Sequence, residues 1–299
     1  MNEVVPPSRA FVLGLADGDG YLDAAALFDL GAAVGLSDTS IRLTLRRLDE
    51  AGLLDVEGRG RKAVIMLTEA GLAARAPDLG WTALAYRLDR GLLPWDGRWH
   101  LVSFAIPESE RVGRDALRSY LVELIGAQLA GGLYASHYDW EPWVRAFAER
   151  HHLTPHLAIL ATDELSIGDA FDPRDIAERL WPLGDLDRSI GEFLERWRPL
   201  AVSPPDDLAE AARAAFAASA SFEELARRDP QLPSELAPER WRGREVRDVY
   251  RTLLQAVSDR HADIARANVF AAYLDVLEQT ESMTDPEFDR WLWSATRPG

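Results

Sequence analysis

SDTSIRLTLRRLDEAGLLDVEGRGRKAVIML (Ser37–Leu67) is the stretch that decides the fold. Its apolar residues Ile41, Leu45 and Leu48 recur at intervals of four and three, which predicts one buried face of a helix. Two short apolar strands follow, joined by the basic glycine turn GRGRK. A helix followed by a two-stranded basic ribbon is typical of a winged helix-turn-helix, in which helix and ribbon address a DNA groove and its flanking phosphates.

The ends of this helix carry their own signals. Ser37 or Asp38 can cap the first free amides with a side-chain oxygen, and Gly52 can end the helix because it enters the left-handed conformation at low cost. Upstream, Ser8–Leu15 predicts a short apolar helix. Asp23 predicts the cap of a second helix that Gly35 breaks, and this spacing matches a helix-turn-helix.

The polar face of the main helix and the turn supply the candidate DNA contacts. Arginine and the small hydroxyl residues bind base edges and phosphates, so both elements are candidates. Leu43 lies on the same face and offers an apolar contact, for example to a thymine methyl. The candidates are Thr39, Ser40, Arg42, Thr44, Arg46 and Arg47 on the helix, and Arg59, Arg61 and Lys62 in the turn. The alternative is a protein-interaction adaptor, since winged helices also serve that role.

The charge of the chain opposes DNA binding as a whole and permits it locally. The net charge is −16 over 299 residues, whereas residues 1–76 carry eight basic and eleven acidic side chains. Most of the acidic excess therefore falls outside the predicted DNA-binding segment. The local field at the turn matters more for groove binding than the total, although weak non-specific binding is expected.

Composition excludes several other classes. The chain has no cysteine, which rules out disulfides, thiolate nucleophiles and cysteine-bound zinc. No apolar run reaches the roughly 18 residues of a membrane span. The first residues, MNEVVPPSRAF, lack the layout of a signal peptide. These features predict a cytoplasmic protein without a membrane partner.

The middle of the chain predicts an α+β unit. LTEAGLAARA (Leu67–Ala76) predicts a closing helix and Gly80–Pro94 a separate linker helix. Three strand candidates follow, separated by an amphipathic helix that carries Leu117, Leu121, Leu124 and Ile125 and by a second helical segment. The alternation of strands and helices indicates a ferredoxin-like fold. The strand candidates are His100–Ile106, Gly131–Tyr138 and His156–Thr162.

The chain is predicted to be helical from Asp172 onward. One helix is expected to stop near Pro199, and DPQLPSELAPERWRG (Asp229–Gly243) is expected to form an ordered loop. Helices are expected within residues 259–299, with an irregular end at Arg297–Gly299. The overall prediction is an α+β multidomain chain. Its parts are a winged helix-turn-helix (1–78), a linker helix (79–94), a ferredoxin-like dimerisation or sensing domain (95–170) and a mainly helical domain (171–299).

Three separated stretches resemble the PaaX family of transcriptional repressors. They are SIRLTLRRLDEAGLL with the GRGRK turn closing on MLTEAG, WDGRWHLVSFAIPE (Trp95–Glu108), and DPQLPSELAPERWRG. The resemblance implies an N-terminal winged helix, a central ferredoxin-like domain and a C-terminal helical domain. It also implies a homodimer that binds an operator palindrome in double-stranded DNA, and release of repression by a small-molecule effector such as an aryl-acyl-coenzyme A.

Catalytic chemistry finds little support in the sequence. The central domain resembles the ferredoxin-like nucleases of CRISPR systems, but Ala105 stands where their metal-binding aspartate would be. No P-loop, GxSxG or HExxH motif is present, so we expect no enzyme, cofactor or metal. His151, His152 and His156 are read as a loop-to-strand boundary rather than a metal site. Trp140, Trp143 and His137 are candidates for an effector pocket, with packing as the alternative.

Overall fold

A computed structural model describes residues 8–261, 264 and 271–296. These residues form a mixed α+β chain that separates into two compact units, each assembled from non-consecutive segments. Unit 1 comprises Met1–Tyr86, Leu186–Arg228 and Arg242–Thr284, and unit 2 comprises Arg87–Asp185, Asp229–Trp241 and Asp285–Gly299. The predicted irregular end at Arg297–Gly299 lies outside the described residues.

The helices and strands of the described residues are named here in chain order. The helices are α1 (Ser8–Gly14), α2 (Ala24–Ala33), α3 (Asp38–Glu50), α4 (Glu69–Asp89), α5 (Arg111–Glu123), α6 (Glu141–Arg150), α7 (Pro173–Leu180), α8 (Gly184–Val202), α9 (Leu208–Ala226), α10 (Gly243–Arg260), α11 (Ala271–Glu281) and α12 (Asp285–Thr296). The strands are β1 (Tyr21–Asp23), β2 (Leu54–Glu57), β3 (Val64–Leu67), β4 (Trp99–Phe104), β5 (Ala127–Ala130), β6 (Leu133–Ser136) and β7 (Leu157–Thr162).

In unit 1, helices α1 to α3 pack around one apolar core beside a small sheet. Asp23 accepts a hydrogen bond from the backbone of Ala26 and so caps α2, as the sequence predicts. A Cβ at Gly31 of α2 would lie 2.3 Å from the Cδ1 of Ile41 in α3, so the glycine allows the two helices to approach closely. Strands β1, β3 and β2 form an antiparallel sheet in that order.

Helices α8 to α10 also pack within unit 1. The predicted apolar face of α8 is buried, and its residues are Leu186, Ile190, Phe193, Leu194 and Trp197. Phe222 of α9 stacks on Tyr250 of α10 with ring centroids 4.0 Å apart. The ring centroids of Phe216 in α9 and Phe11 in α1 are 4.9 Å apart, so α9 packs against the N-terminal helices.

Unit 2 is built on a four-stranded antiparallel sheet. The chain runs strand, helix, strand, strand, helix, strand through β4, α5, β5, β6, α6 and β7. The strand order across the sheet is β5, β6, β4, β7, which places the first and last strands side by side. Leu117 and Leu121 bury the predicted face of α5.

The structure corrects two sequence-based expectations and adds two strands. The closing helix and the linker helix are one continuous helix, α4, which ends at Asp89. Helix α8 does not stop at Pro199 but continues to Val202 with the proline inside it. The sequence does not predict β1, which is only three residues long, or β5, whose residues AQLA include none of the β-branched and aromatic types that favour strands. The ordered segment between Asp229 and Gly243 is confirmed as non-helical up to α10.

Candidate nucleic-acid interface

Helix α3 presents one buried face and one polar face, as its sequence predicts. Ser37 caps the helix, and its Oγ accepts a 3.1 Å hydrogen bond from the backbone amide of Ser40. Ile41, Leu45 and Leu48 are buried against the rest of unit 1. The rotation of the helix about its axis is therefore fixed by these three side chains.

The other face of α3 is open to solvent and carries the predicted contact residues. Leu43 has 38% of its surface exposed, which is high for a leucine and leaves an apolar group among the basic ones. Of the predicted residues, Thr39, Arg42, Arg46 and Arg47 are exposed, whereas Ser40 and Thr44 are half-buried.

The basic turn between β2 and β3 lies on the same unit. Glu57 pairs with Val64 at the end of the ladder, and Gly60–Lys62 forms one 3₁₀ turn. Gly58 and Gly60 have φ of +87° and +62°, a backbone conformation that favours glycine and shapes the turn. Arg59, Arg61 and Lys62 are all exposed.

One aromatic ring of α2 connects the helix and the turn. The guanidinium of Arg42 lies 5.6 Å from the centroid of the Phe28 ring, and that of Arg61 lies 6.0 Å from the same centroid. Phe28 is itself buried. A cation within about 6 Å of an aromatic face is attracted to it, so the buried ring helps to hold both arginines in place.

The basic side chains differ in their acidic partners. Arg61 donates from Nη1 to Oδ1 of Asp29, and this hydrogen bond raises the pKa of the Arg61 guanidinium above its usual value. Arg42 Nη2 lies 3.2 Å from Asp38 Oδ2, and Arg46 Nε lies 3.3 Å from Glu50 Oε1. Both ion pairs are exposed and contribute little to stability. Among the described residues, no ion-pair partner is found for the three remaining basic side chains, which are Arg47, Arg59 and Lys62.

The C-terminal end of helix α2 is bound by an arginine of α9. Arg213 of α9 donates from Nη1 to the carbonyl oxygen of Ala33, the last residue of α2, at 2.9 Å. A cation at a helix C-terminus binds carbonyls without an intrahelical partner and complements the helix dipole. The position of α2, and with it the Phe28 ring, therefore depends in part on α9.

The sequence pattern does not identify Phe28 and Asp29 as part of this interface. Both lie in AAALFDLGAA, where the periodicity indicates only a buried helix. The available signal was Asp29 itself, because a carboxylate inside an otherwise apolar ten-residue helix needs either solvent or a partner. Its partner is 32 positions away in the chain, so only the tertiary structure identifies it.

The candidates for an effector pocket are buried in unit 2. Trp140 is completely buried, and a Cβ at Gly126 would lie 2.3 Å from its ring. Trp143 donates from Nε1 to Thr296 Oγ1 at 2.8 Å, and His137 Nε2 lies 2.8 Å from the carbonyl oxygen of Pro230. Burial lowers the pKa of His137 to about 4. All three side chains are thus engaged in packing within the unit.

His151, His152 and His156 lie between the end of α6 and the start of β7. His151 and His152 are exposed, while His156 is half-buried with Nε2 3.4 Å from Glu110 Oε1. Within the described residues, no three histidine, aspartate or glutamate side chains are grouped to hold a metal ion. Ala105, which follows β4, is exposed. None of the helices described is long and apolar enough to cross a membrane.

Comparisons with known proteins place the chain among its relatives. Residues 93–173 match the family model of the PaaX protein central Cas2-like domain, and residues 181–267 match that of the PaaX-like protein C-terminal domain. The transcriptional repressor PaaX of Escherichia coli (strain K12) is 26% identical over 272 residues, which cover 85% of this chain and 82% of the repressor.

A solved structure shows the same fold. The uncharacterized protein Rv0674 from Mycobacterium tuberculosis superposes with a TM-score of 0.59 and 24% sequence identity, over 85% of this chain and 96% of that one. The two PaaX domain models follow each other without overlap and together match more than half of the 299 residues. The chain therefore belongs to the PaaX family.

Proposed function

We propose that the chain is a dimeric, ligand-responsive transcriptional regulator that represses a catabolic operon by binding operator DNA. The observation that carries this proposal is the basic turn Gly58–Lys62 beside the exposed face of α3, both fixed to α2. The Escherichia coli relative is named a transcriptional repressor, which supports the same activity here. The proposal makes the chain a DNA-binding protein of the cytoplasm and not an enzyme.

We assign the DNA-binding role to a winged helix-turn-helix formed by α2, α3 and the β2–β3 ribbon. Support comes from the close crossing of α2 and α3 at Gly31 and from the antiparallel β2–β3 pair that follows. Base-edge and phosphate contacts from the helix are assigned to Thr39, Ser40, Arg42, Thr44, Arg46 and Arg47. Phosphate or minor-groove contacts from the turn are assigned to Arg59, Arg61 and Lys62.

We assign dimerisation or sensing to a ferredoxin-like central domain of residues 95–170. The strand order β5, β6, β4, β7 and the two helices on the chain path support this assignment. The other proposed parts are the DNA-binding domain (1–78), the linker (79–94) and the C-terminal helical domain (171–299). A homodimer matches the two-fold symmetry of an operator palindrome.

We propose that an acyl-coenzyme A or related small molecule relieves repression. Membership of the PaaX family supports this proposal, because the resemblance to that family implies a small-molecule effector. Trp140, Trp143 and His137 would bind it only if their packing opened, because all three are buried. A thermal-shift screen of acyl-coenzyme A compounds tests the effector directly, since a ligand that binds the folded state raises its melting temperature.

Fluorescence anisotropy tests the function. The purified protein is titrated against labelled DNA from upstream of its own gene and against scrambled DNA of equal length, across a salt series. We expect tighter binding to the upstream DNA, with log affinity falling linearly with log salt. Absence of binding to both DNAs at low salt would reject the proposal and favour the protein-interaction adaptor. Equal affinity for the upstream and the scrambled DNA would reject sequence-specific binding to an operator in the upstream DNA.

A further inference from the structure

Asp29 forms an ion pair with Arg61 at the basic turn. Arg61 Nη1 donates to Asp29 Oδ1, and about half of each side chain is exposed. Asp38 adds a second carboxylate to the group. It accepts a hydrogen bond from Arg42, and its charge helps to raise the pKa of Arg61. Two arginines and two carboxylates are therefore grouped next to the Phe28 ring, at the junction of α3 and the basic turn.

A carboxylate and a phosphate make the same kind of charge-assisted hydrogen bond with a guanidinium. Arg61 paired with Asp29 carries little net charge toward solvent, so a phosphate that approaches it gains less and is repelled by Asp29. An arginine already neutralised by a carboxylate also displaces fewer of the counterions that are condensed on the DNA phosphates. Arg59 and Lys62, in the same turn, have no such partner among the residues that the structure describes.

We propose that Asp29 acts as an intramolecular phosphate mimic, which competes with the DNA backbone for Arg61 and so lowers the affinity for DNA of any sequence. This inference rests on the proposed DNA binding. Its consequence is selectivity, because phosphate contacts carry no sequence information and favour all DNA equally. When one phosphate contact is weakened, the base contacts of α3 supply a larger share of the binding free energy.

The test is a double-mutant cycle with Asp29→Asn and Arg61→Ala in the full chain. Anisotropy is measured with scrambled DNA over a series of sodium chloride concentrations. Asp55→Asn is the matched control, because it removes one exposed aspartate charge from neighbouring β2. Asp29→Ser is a second variant that removes the carboxylate with a different side chain.

We expect Asp29→Asn to tighten binding roughly fivefold at low salt, the size of one unit charge acting at about 4 Å in water. The salt slope should steepen by about one, as for one additional phosphate contact. Arg61→Ala should weaken binding in the native background by less than Lys62→Ala does, and it should abolish the gain in the Asp29→Asn background. Asp55→Asn should give a smaller gain that does not depend on Arg61.

Several outcomes would overturn the inference. The competition between Asp29 and DNA for Arg61 would be disproved by any of three results. In these, Asp29→Asn tightens binding no more than Asp55→Asn does, tightens binding equally when Arg61 is alanine, or leaves the affinity unchanged. Weaker binding or loss of folding by both Asp29 variants would make the pair a structural anchor instead. In all these cases the native protein still binds DNA. If the native protein and every variant fail to bind at low salt, the proposed function fails and this inference fails with it.

Discussion

Gly71 of α4 lies directly against the backbone of Leu53. A Cβ built on Gly71 would lie 1.9 Å from the carbonyl oxygen of Leu53, the same oxygen that accepts a 3.1 Å hydrogen bond from the amide of Thr68. Thr68 Oγ1 donates to Gly52 at 2.6 Å and accepts from the amide of Gly71 at 3.1 Å. These hydrogen bonds and the close approach of Gly71 hold the turn after α3 against the start of α4.

Replacing Gly71 by alanine should destabilise the protein. The clash is with backbone, which cannot rotate away, so we expect the free energy of unfolding to fall by about 1–3 kcal/mol. Chemical denaturation measures it. The matched control is Gly14→Ala at the end of α1, where nothing lies within 4 Å of the added Cβ. Equal stability of the two variants would contradict the close approach.

Leu43 and Leu45 of α3 should respond differently to the same substitution. Leu45 has 7% of its surface exposed and Leu43 has 38%. Leu45→Ala should reduce the unfolding free energy by about 2–5 kcal/mol, because it leaves a cavity in the core. Leu43→Ala should leave the melting temperature nearly unchanged and reduce the preference for operator over scrambled DNA. Thermal unfolding and anisotropy distinguish the two, and a large loss of stability in Leu43→Ala would contradict its outward orientation.

The helices of the DNA-binding segment were predictable because their signals are local. Ser37 and Asp23 cap the helices that the sequence assigns to them, and the apolar spacing of α3 matches its buried face. The pair of Asp29 and Arg61 was not predictable, because it joins residues 32 positions apart and leaves no periodic pattern. The same limit applies to α9, whose Arg213 reaches Ala33 across 180 positions.

Arg59→Ala and Lys62→Ala should each weaken binding to operator and scrambled DNA by the same factor. Both side chains are exposed on a turn and are assigned to phosphates, which are alike in every sequence. The salt slope should become shallower by about one for each substitution. The salt dependence of anisotropy is the measurement. A loss confined to operator DNA would indicate base readout and contradict the phosphate assignment.

His137 should make the stability of the protein depend on pH. Its Nε2 faces a carbonyl oxygen, which can only accept, so the neutral ring donates from Nε2 to Pro230 at 2.8 Å. Burial lowers the pKa of His137 from 6.5 to about 4. Between these values the unfolded chain binds a proton that the folded chain does not. The free energy of unfolding should therefore fall as pH decreases from about 6.5 toward 4, and this contribution should be constant above that range.

The expected loss is roughly 3 kcal/mol over the whole interval, from about 1.4 kcal/mol for each pH unit. Denaturation at several pH values measures it, with other acidic groups contributing a background. His137→Gln keeps an N–H donor for Pro230 and removes the titration, so its profile should be flatter than that of the native protein. His152→Asn removes an exposed histidine at the end of α6 and should keep the native profile. If His137→Gln followed the native curve, the buried neutral ring would not be the source of the pH dependence.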